Sequence, residues 1–403
     1  TRYLSHCVSP ILKMGNFAII FLVLPSLALV AVADQYPLAT RCPTEPCVSP
    51  QCVCSSDEVP AALPPQKIPQ IVSLSFDDGM NVVNDALYQK LFHGRDNPNG
   101  CPITATFFLS HLYTDYSLVH KMWTMRHEIA SHSISHNVTT YYWKNATKAV
   151  WRDEIAGMRQ ITSIHALIPE SDIIGMRAPF LHMGGNNMYE MLFENGFVYD
   201  NSWPTQQSTH LWPYTLDYAS KQKCQIYPCP ESTPNVSLPG LWVLPMIDLI
   251  GDNQFPCAML DACIVEENEE AVFNMLLRNF NNHYHGERGH FGLYQHSAWF
   301  QYPGHTEGFI KFLDYIQTLN DVYIVSLEQF LAWVKEPSPL DRIKDFQPWK
   351  SSCHPFKNTC KVTTCVYKDI IGIQASEVFM TSCSGICPDE YPWVGNPTGG
   401  SPA

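Results

Sequence analysis

Between Ile71 and Glu336 short apolar runs alternate with amphipathic stretches, and that rhythm leaves few architectures open. Ile71–Phe76, Thr104–Leu109, His127–His132, Ile173–Ala178, Phe197–Asn201, Leu241–Met246, His290–His296 and Val322–Ser326 read as buried strands. Between them, Val82–Phe92, Ala146–His165, Asn187–Asn195, Glu269–Tyr284 and Glu307–Leu319 carry a helical period. Strands that alternate with helices imply a parallel sheet, either open or closed into a barrel. The chain is α/β, and 71–336 is its expected catalytic domain.

The flanks read differently. Residues 34–70 are rich in Pro, Cys, Ser and Thr without a helical period, and predict a disulfide-tied arm. Residues 203–240 and 247–265 interrupt the alternation as long Cys-containing loops, which in a domain of this kind are often functional. Residues 337–403 predict a disulfide-tied tail that wraps back on the catalytic domain. Near the start, Met14 opens a stretch whose apolar part, Phe17 to Val32, ends in Ala31-Val32-Ala33. That is the small-x-small pattern of a cleaved signal peptide, here 14–33, although its length approaches that of a membrane span. Residues 1–13 are set aside from the fold reasoning.

Of 15 cysteines only Cys7 precedes that segment, which leaves an even number able to form up to seven disulfides in an oxidising compartment. A zinc knuckle at Cys47, Cys52 and Cys54 lacks the paired spacing such sites need. Sequons at Asn137, Asn145 and Asn235 agree with a secreted, extracellular glycoprotein without a membrane anchor, and Asn137 lies beside a candidate metal ligand. A formal charge of −13 without a long basic run excludes nucleic acid as a partner, whereas a neutral sugar polymer fits. A monomer is expected.

Two constellations carry chemistry. Ser75-Phe76-Asp77-Asp78-Gly79 closes a strand, where parallel sheets present ligands. Consecutive carboxylates there point apart, so one can hold a metal while the other faces a substrate water, and Gly79 permits a tight exit turn. Alone the pair is weak evidence, since acidic pairs often cap the next helix. His132-Ser133-Ile134-Ser135-His136 also follows a strand, and two imidazoles at i and i+4 share a face of a helical turn. With Asp78 they make a His₂-carboxylate site suited to Zn²⁺, Co²⁺ or another first-row divalent ion.

The order S-F-D-D-G, H-S-I-S-H, Arg177-Ala178-Pro179-Phe180, Asp200-Asn201-Ser202-Trp203 and Tyr294-Gln295-His296 resembles the polysaccharide deacetylases of carbohydrate esterase family four. The resemblance covers about two thirds of the chain. The runs G-L-Y-Q-H-S-A-W-F and W-P-Y-T-L-D-Y look closest to insect chitin deacetylases, of the gut-associated group without a chitin-binding module. It implies a distorted (β/α) barrel that hydrolyses N-acetyl groups of chitin or its oligomers and releases acetate.

The resemblance also implies roles. Asp77 is the base that deprotonates the attacking water, and Asp78, His132 and His136 hold the metal. Arg177 pairs with Asp77, His296 is the acid for the leaving amine, and Pro179 and Phe180 shape the pocket floor. Asp200 tunes the acid and Trp203 walls the acetyl methyl, with Trp212 or Asp217 of the inserted loop as further candidates. Tyr294 stands where the family usually has an aliphatic residue, which implies a changed pocket shape. Sugar-stacking platforms are expected at Tyr141, Tyr142 and Trp143, whereas Trp299 and Phe300 lie in an apolar run that suits a core. Two other readings remain at this point, an esterase removing O-acetyl groups at the same site and a chitin-matrix protein with little turnover. A peptidoglycan substrate is disfavoured by the sequons and cysteines.

Overall fold

Nine strands form one curled sheet that is parallel except at one edge. They are β1 (Gln70–Asp77), β2 (Thr106–Ser110), β3 (Glu128–Ser133), β4 (Gly175–Met176), β5 (Tyr199–Asp200), β6 (Tyr214–Leu216), β7 (Leu238–Val243), β8 (Phe291–His296) and β9 (Val322–Ile324). Their order is β8-β1-β2-β3-β4-β5-β7-β6, with β9 off this path and paired to β1, and only β6 runs antiparallel to its neighbour. The computed structural model describes residues 36–403 except 44–46, 227–228, 232, 352, 369, 371–372, 374–375 and 402–403. The expected signal peptide at 14–33 lies outside the described residues.

The distortion of the barrel has a local origin in β1. One edge of that strand pairs with β8 along Val72–Asp77. The other is shared, with β9 along Gln70–Val72 and β2 along Ser75–Asp77. Side chains of β1 alternate, as a strand requires. Val72, Leu74 and Phe76 face the helices in one core, while Ile71 joins a second core with Phe108, Ala130, Tyr199 and Trp242. Ser73, Ser75 and Asp77 share the parity of Ile71 and lead up to the carboxyl end of the sheet.

Helices Val82–Phe92 and Glu269–Tyr284 occupy the spans expected for them. The first begins at a reciprocal cap: Asn81 accepts from the Val83 and Asn84 amides, while the Asn84 side chain accepts from the Asn81 amide. Helices Tyr116–Thr124 and Leu327–Lys335 were not among those expected. The single helix anticipated at Ala146–His165 is interrupted. Lys148–Trp151 passes through a π-helical turn, Arg152–Ala156, before Gly157–Ala166. β4 and β5 are two residues each, shorter than expected. Beyond them the backbone leaves the ladder for side-chain partners, as when the Ala178 amide donates to Ser202 Oγ.

Every cysteine from Cys42 to Cys387 is paired: 42–54, 47–52, 101–353, 224–229, 257–263, 360–383 and 365–387. The knuckle reading of Cys47, Cys52 and Cys54 is thereby removed. The N-terminal arm lies along the antiparallel edge, where Val53 and Thr215 exchange hydrogen bonds, so that edge is covered. The tail is tied to the loop before β2 by Cys101–Cys353, and its hairpin, Thr363–Lys368 with Glu377–Ser382, docks Cys383 on His165.

Candidate active site

β1 and β8 run in register so that Asp77 lies directly opposite His296. β3 carries His132, and His136 follows in the next turn. The two histidines therefore do not share a helical turn. The strand aims His132, and a turn with left-handed backbone at His136 (φ 43°) brings the second ring back beside it, ring centroids 5.0 Å apart. Asp78 takes φ 80°, so the tight exit from β1 falls on Asp78 itself rather than on Gly79. Gly79 is required for a different reason. A Cβ there would stand 2.9 Å from the Leu112 carbonyl oxygen. Phe180 (φ 57°) and Leu181 (φ 53°) are also left-handed. Non-glycine residues held in this region cluster at working sites because the surrounding structure must compel them.

The consecutive aspartates separate as expected. Asp77 is buried and accepts from Arg177 Nη1 at 2.5 Å, whereas the Asp78 side chain is 45% exposed. Asp78 Oδ1 lies 3.5 Å from His136 Nε2 and 4.0 Å from His132 Nε2. Ligand atoms of Asp78, His132 and His136 all fall within 4.8 Å of one another, a spacing one cation can bridge. His132 Nδ1 sits 2.8 Å from the Arg177 carbonyl, which fixes the tautomer with Nε2 free toward Asp78. Burial, and then His136, push the His132 pKa down to about 3, so the ring is neutral as a ligand must be. These residues fit a divalent cation.

Arg177 is fully buried and spends its guanidinium on Asp77 and the residues around it. It donates to Asp77, to Ser75 Oγ at 2.9 Å, to the Asn201 carbonyl at 3.0 Å and to the Asn201 side chain. Its plane lies over Phe108, 4.1 Å from the ring centre. Such a fork holds Asp77 in one orientation.

His296 faces the trio from the other side, Nε2 being 3.8 Å from Asp78 Oδ2. Its Nδ1 lies 3.0 Å from Asp261 Oδ2, which also accepts from the His296 amide at 3.1 Å. Burial alone would lower this histidine. The hydrogen bond to Asp261 and the charges of Asp77, Asp261 and Asp78 outweigh it, and the pKa rises to about 9.

Asp261 corrects the assignment of Asp200. Asp200 is buried beneath the site and is consumed by Tyr189 (2.7 Å) and Ser202 (2.5 Å), through which it supports the Ala178 amide. Burial raises its pKa to about 6 in spite of those bonds. Asp217 is likewise engaged elsewhere, accepting from the Gly240 amide. The Cys257–Cys263 clip of the interrupting loop, flagged in the sequence as a long disulfide-tied segment, was the one available pointer to Asp261.

The aromatic candidates divide. Trp203 and Trp143 are fully buried, with indole N–H groups donating to the Lys223 and Asn137 carbonyls. Trp212 packs on Trp333, ring centres 5.9 Å apart. None of the three presents a face to a sugar, because each closes a core cluster. The Tyr142 hydroxyl is committed to Glu154 at 2.8 Å. Trp299 and Phe300 are core residues, in keeping with their apolar run. Phe180, 43% exposed, lies 5.1 Å from the His136 ring with Pro179 buried before it, and Tyr141 is 68% exposed. Tyr294 is buried with Leu181 and Met246 in a small apolar cluster that Ala258 and Met259 of the Asp261 loop also join.

Known proteins resemble this chain along most of its length. The family model for polysaccharide deacetylases matches residues 65–182. Chitin deacetylase 8 of Bombyx mori is 41% identical over 389 residues, 94% of this chain and 98% of that protein. Chitin deacetylase 1 of Bombyx mori is 37% identical over 383 residues, 90% of this chain and 69% of that protein. A solved chitin deacetylase from the fungal pathogen Colletotrichum lindemuthianum shares 15% identity at a TM-score of 0.34, over 68% of this chain and 93% of that one. With relatives so similar along nearly its whole length, the chain belongs to the polysaccharide deacetylase family.

Proposed function

We propose that this protein hydrolyses N-acetyl groups of a β-1,4-linked N-acetylglucosamine polymer, chitin or its oligomers, releasing acetate and leaving free amines. One observation carries the reading. A cation-sized trio, Asp78, His132 and His136, has a buried carboxylate held by arginine on one side and a carboxylate-backed histidine on the other. When bound, a divalent ion such as Zn²⁺ or Co²⁺ supplies Lewis acidity for the acetamide carbonyl and acidifies water at the site. Asp77 accepts the proton of the attacking water, with Arg177 keeping it aimed. His296 Nε2 delivers a proton to the leaving nitrogen, while Asp261 fixes Nδ1 and holds the ring protonated. Phe180 and Tyr141 are the exposed rings available to pyranose faces, and the Leu181, Met246 and Tyr294 cluster borders the space for the acetyl methyl.

The protein acts as a secreted monomeric glycoprotein in this reading. Two sequons, Asn145 and Asn235, lie on the surface. Among the described residues no helix is long and apolar enough to cross a membrane. The test is acetate release from chitin oligomers and from acetylated xylan, before and after chelation and after zinc is restored. Release from the oligomers that is lost with the metal and regained with zinc supports the reading. Preference for xylan would identify an O-acetyl esterase, and chitin binding without release would identify a matrix protein.

A further inference from the structure

The turn between the two histidine ligands is held from behind by a carboxylate outside the reacting groups. That turn needs holding, since Ser133 (φ 146°) and His136 (φ 43°) both depart from the conformations that side chains prefer. The His132 ring has an anchor of its own in the Arg177 carbonyl, whereas the His136 ring is placed by the path of its backbone.

Glu154 is fully buried and sits in the π-helical turn Arg152–Ala156. Its Oε2 accepts from the Ile134 amide at 3.1 Å and the Ser135 amide at 2.9 Å. Its Oε1 accepts from Ser135 Oγ at 2.5 Å and the Tyr142 hydroxyl at 2.8 Å. Two consecutive amides converging on one oxygen form a small anion-binding concavity. Here the anion is a side chain, and among the described residues no lysine or arginine pairs with it. The Ile155 carbonyl of the same turn accepts from Ser131 Oγ at 2.8 Å, which fastens this helix to β3. Gly157 completes the seat, because a Cβ there would meet Ile134 Cδ1 at 2.9 Å.

We infer that Glu154 is a positioning residue of the metal site: it pins the Ile134–Ser135 peptides so that His136 directs Nε2 at Asp78, with Tyr142 as the outer half of the clamp. The inference rests on the metal reading proposed above. The charge is part of the function, since charge-assisted bonds to amides are stronger than neutral ones. A glutamine retains one acceptor for the two amides. An alanine leaves them unpaired.

The experiment is titration of Zn²⁺ into the full-length protein after chelation, with acetate-release kinetics alongside. Glu154→Gln should weaken zinc binding about 10-fold and Glu154→Ala about 100-fold, the range expected when the support of a ligand is lost. Tyr142→Phe should weaken it by a smaller factor. In each variant, zinc raised above the new dissociation constant should restore kcat, with KM for chitin oligomers unchanged. Parent-like zinc affinity in Glu154→Gln and Tyr142→Phe overturns the inference, even if Glu154→Ala fails to fold. A kcat that excess zinc does not restore also overturns it. If the parent protein binds no zinc, the metal reading itself fails and the inference with it.

Discussion

Replacing Asp261 by Asn should pull down the basic limb of the pH–rate profile while leaving the metal site intact. His296 is held at about 9 because burial, which lowers it, is outweighed by the Asp261 hydrogen bond and by the charges of Asp77, Asp261 and Asp78. A raised pKa keeps the imidazole protonated, and so able to donate, until the pH passes through that value. Asparagine retains the shape and a carbonyl to accept from the His296 amide, but it brings no charge. If the variant returns to the unperturbed value of about 6.5, the protonated fraction at pH 8 falls from roughly 0.9 to roughly 0.03, about 30-fold. At pH 6 the same change is less than about 1.5-fold. A cation on Asp78 cancels that carboxylate's share in both proteins, so both limbs, and the pH at which each ratio applies, move down together while the interval due to Asp261 remains. The assay is initial-rate acetate release from a chitin oligomer between pH 5.5 and 9.5, with zinc content measured on the same samples. A loss of equal size at pH 6 and pH 8 would refute the reasoning, because Asp261 would then only orient the ring.

Three further outcomes are expected. Asp77→Asn should abolish acetate release with zinc content retained, since Asp77 is held by Arg177 and is not one of the three residues spaced for a cation; metal lost in step with activity would mean the two aspartates have exchanged roles. Arg177→Lys should destabilise the fold by about 3–5 kcal/mol, because one ammonium cannot serve Asp77, Ser75 and Asn201 together, and a parent-like denaturation midpoint would contradict this. Gly79→Ala should cost about 1–3 kcal/mol and weaken zinc binding, since its Cβ must displace the Leu112 backbone beside Asp78; unchanged affinity by titration would count against the close approach seen there.

Much of the site was legible because its signals are local. Asp77 ends a strand whose apolar pattern is visible over six residues, and Asp78 follows it in a left-handed turn that parts the two side chains. His132, Arg177 and His296 lie at or just beyond the ends of other apolar runs, so they could be placed on one rim of a parallel sheet without coordinates. The helical turn expected at His132–His136 was wrong for a physical reason. Buried π-turn and strand contacts hold that segment in a conformation its own residues do not favour.

What the sequence by itself determined is the alternation that builds the sheet, the residue types at its carboxyl rim, and an even set of cysteines beyond Cys7. Tertiary structure alone decided which carboxylate backs His296, which carboxylate braces the histidine turn, and which aromatic rings see solvent. Asp261 reaches its histidine across 35 positions through a disulfide-clipped loop, and Glu154 reaches Ser135 across 19 through a π turn. Trp143, expected as a platform, and Trp203 and Trp212, expected at the acetyl wall, are all core. Periodicity reports how a segment faces its own sheet or helix, whereas the path of a loop and the burial of a lone indole depend on what other segments bring to the same place.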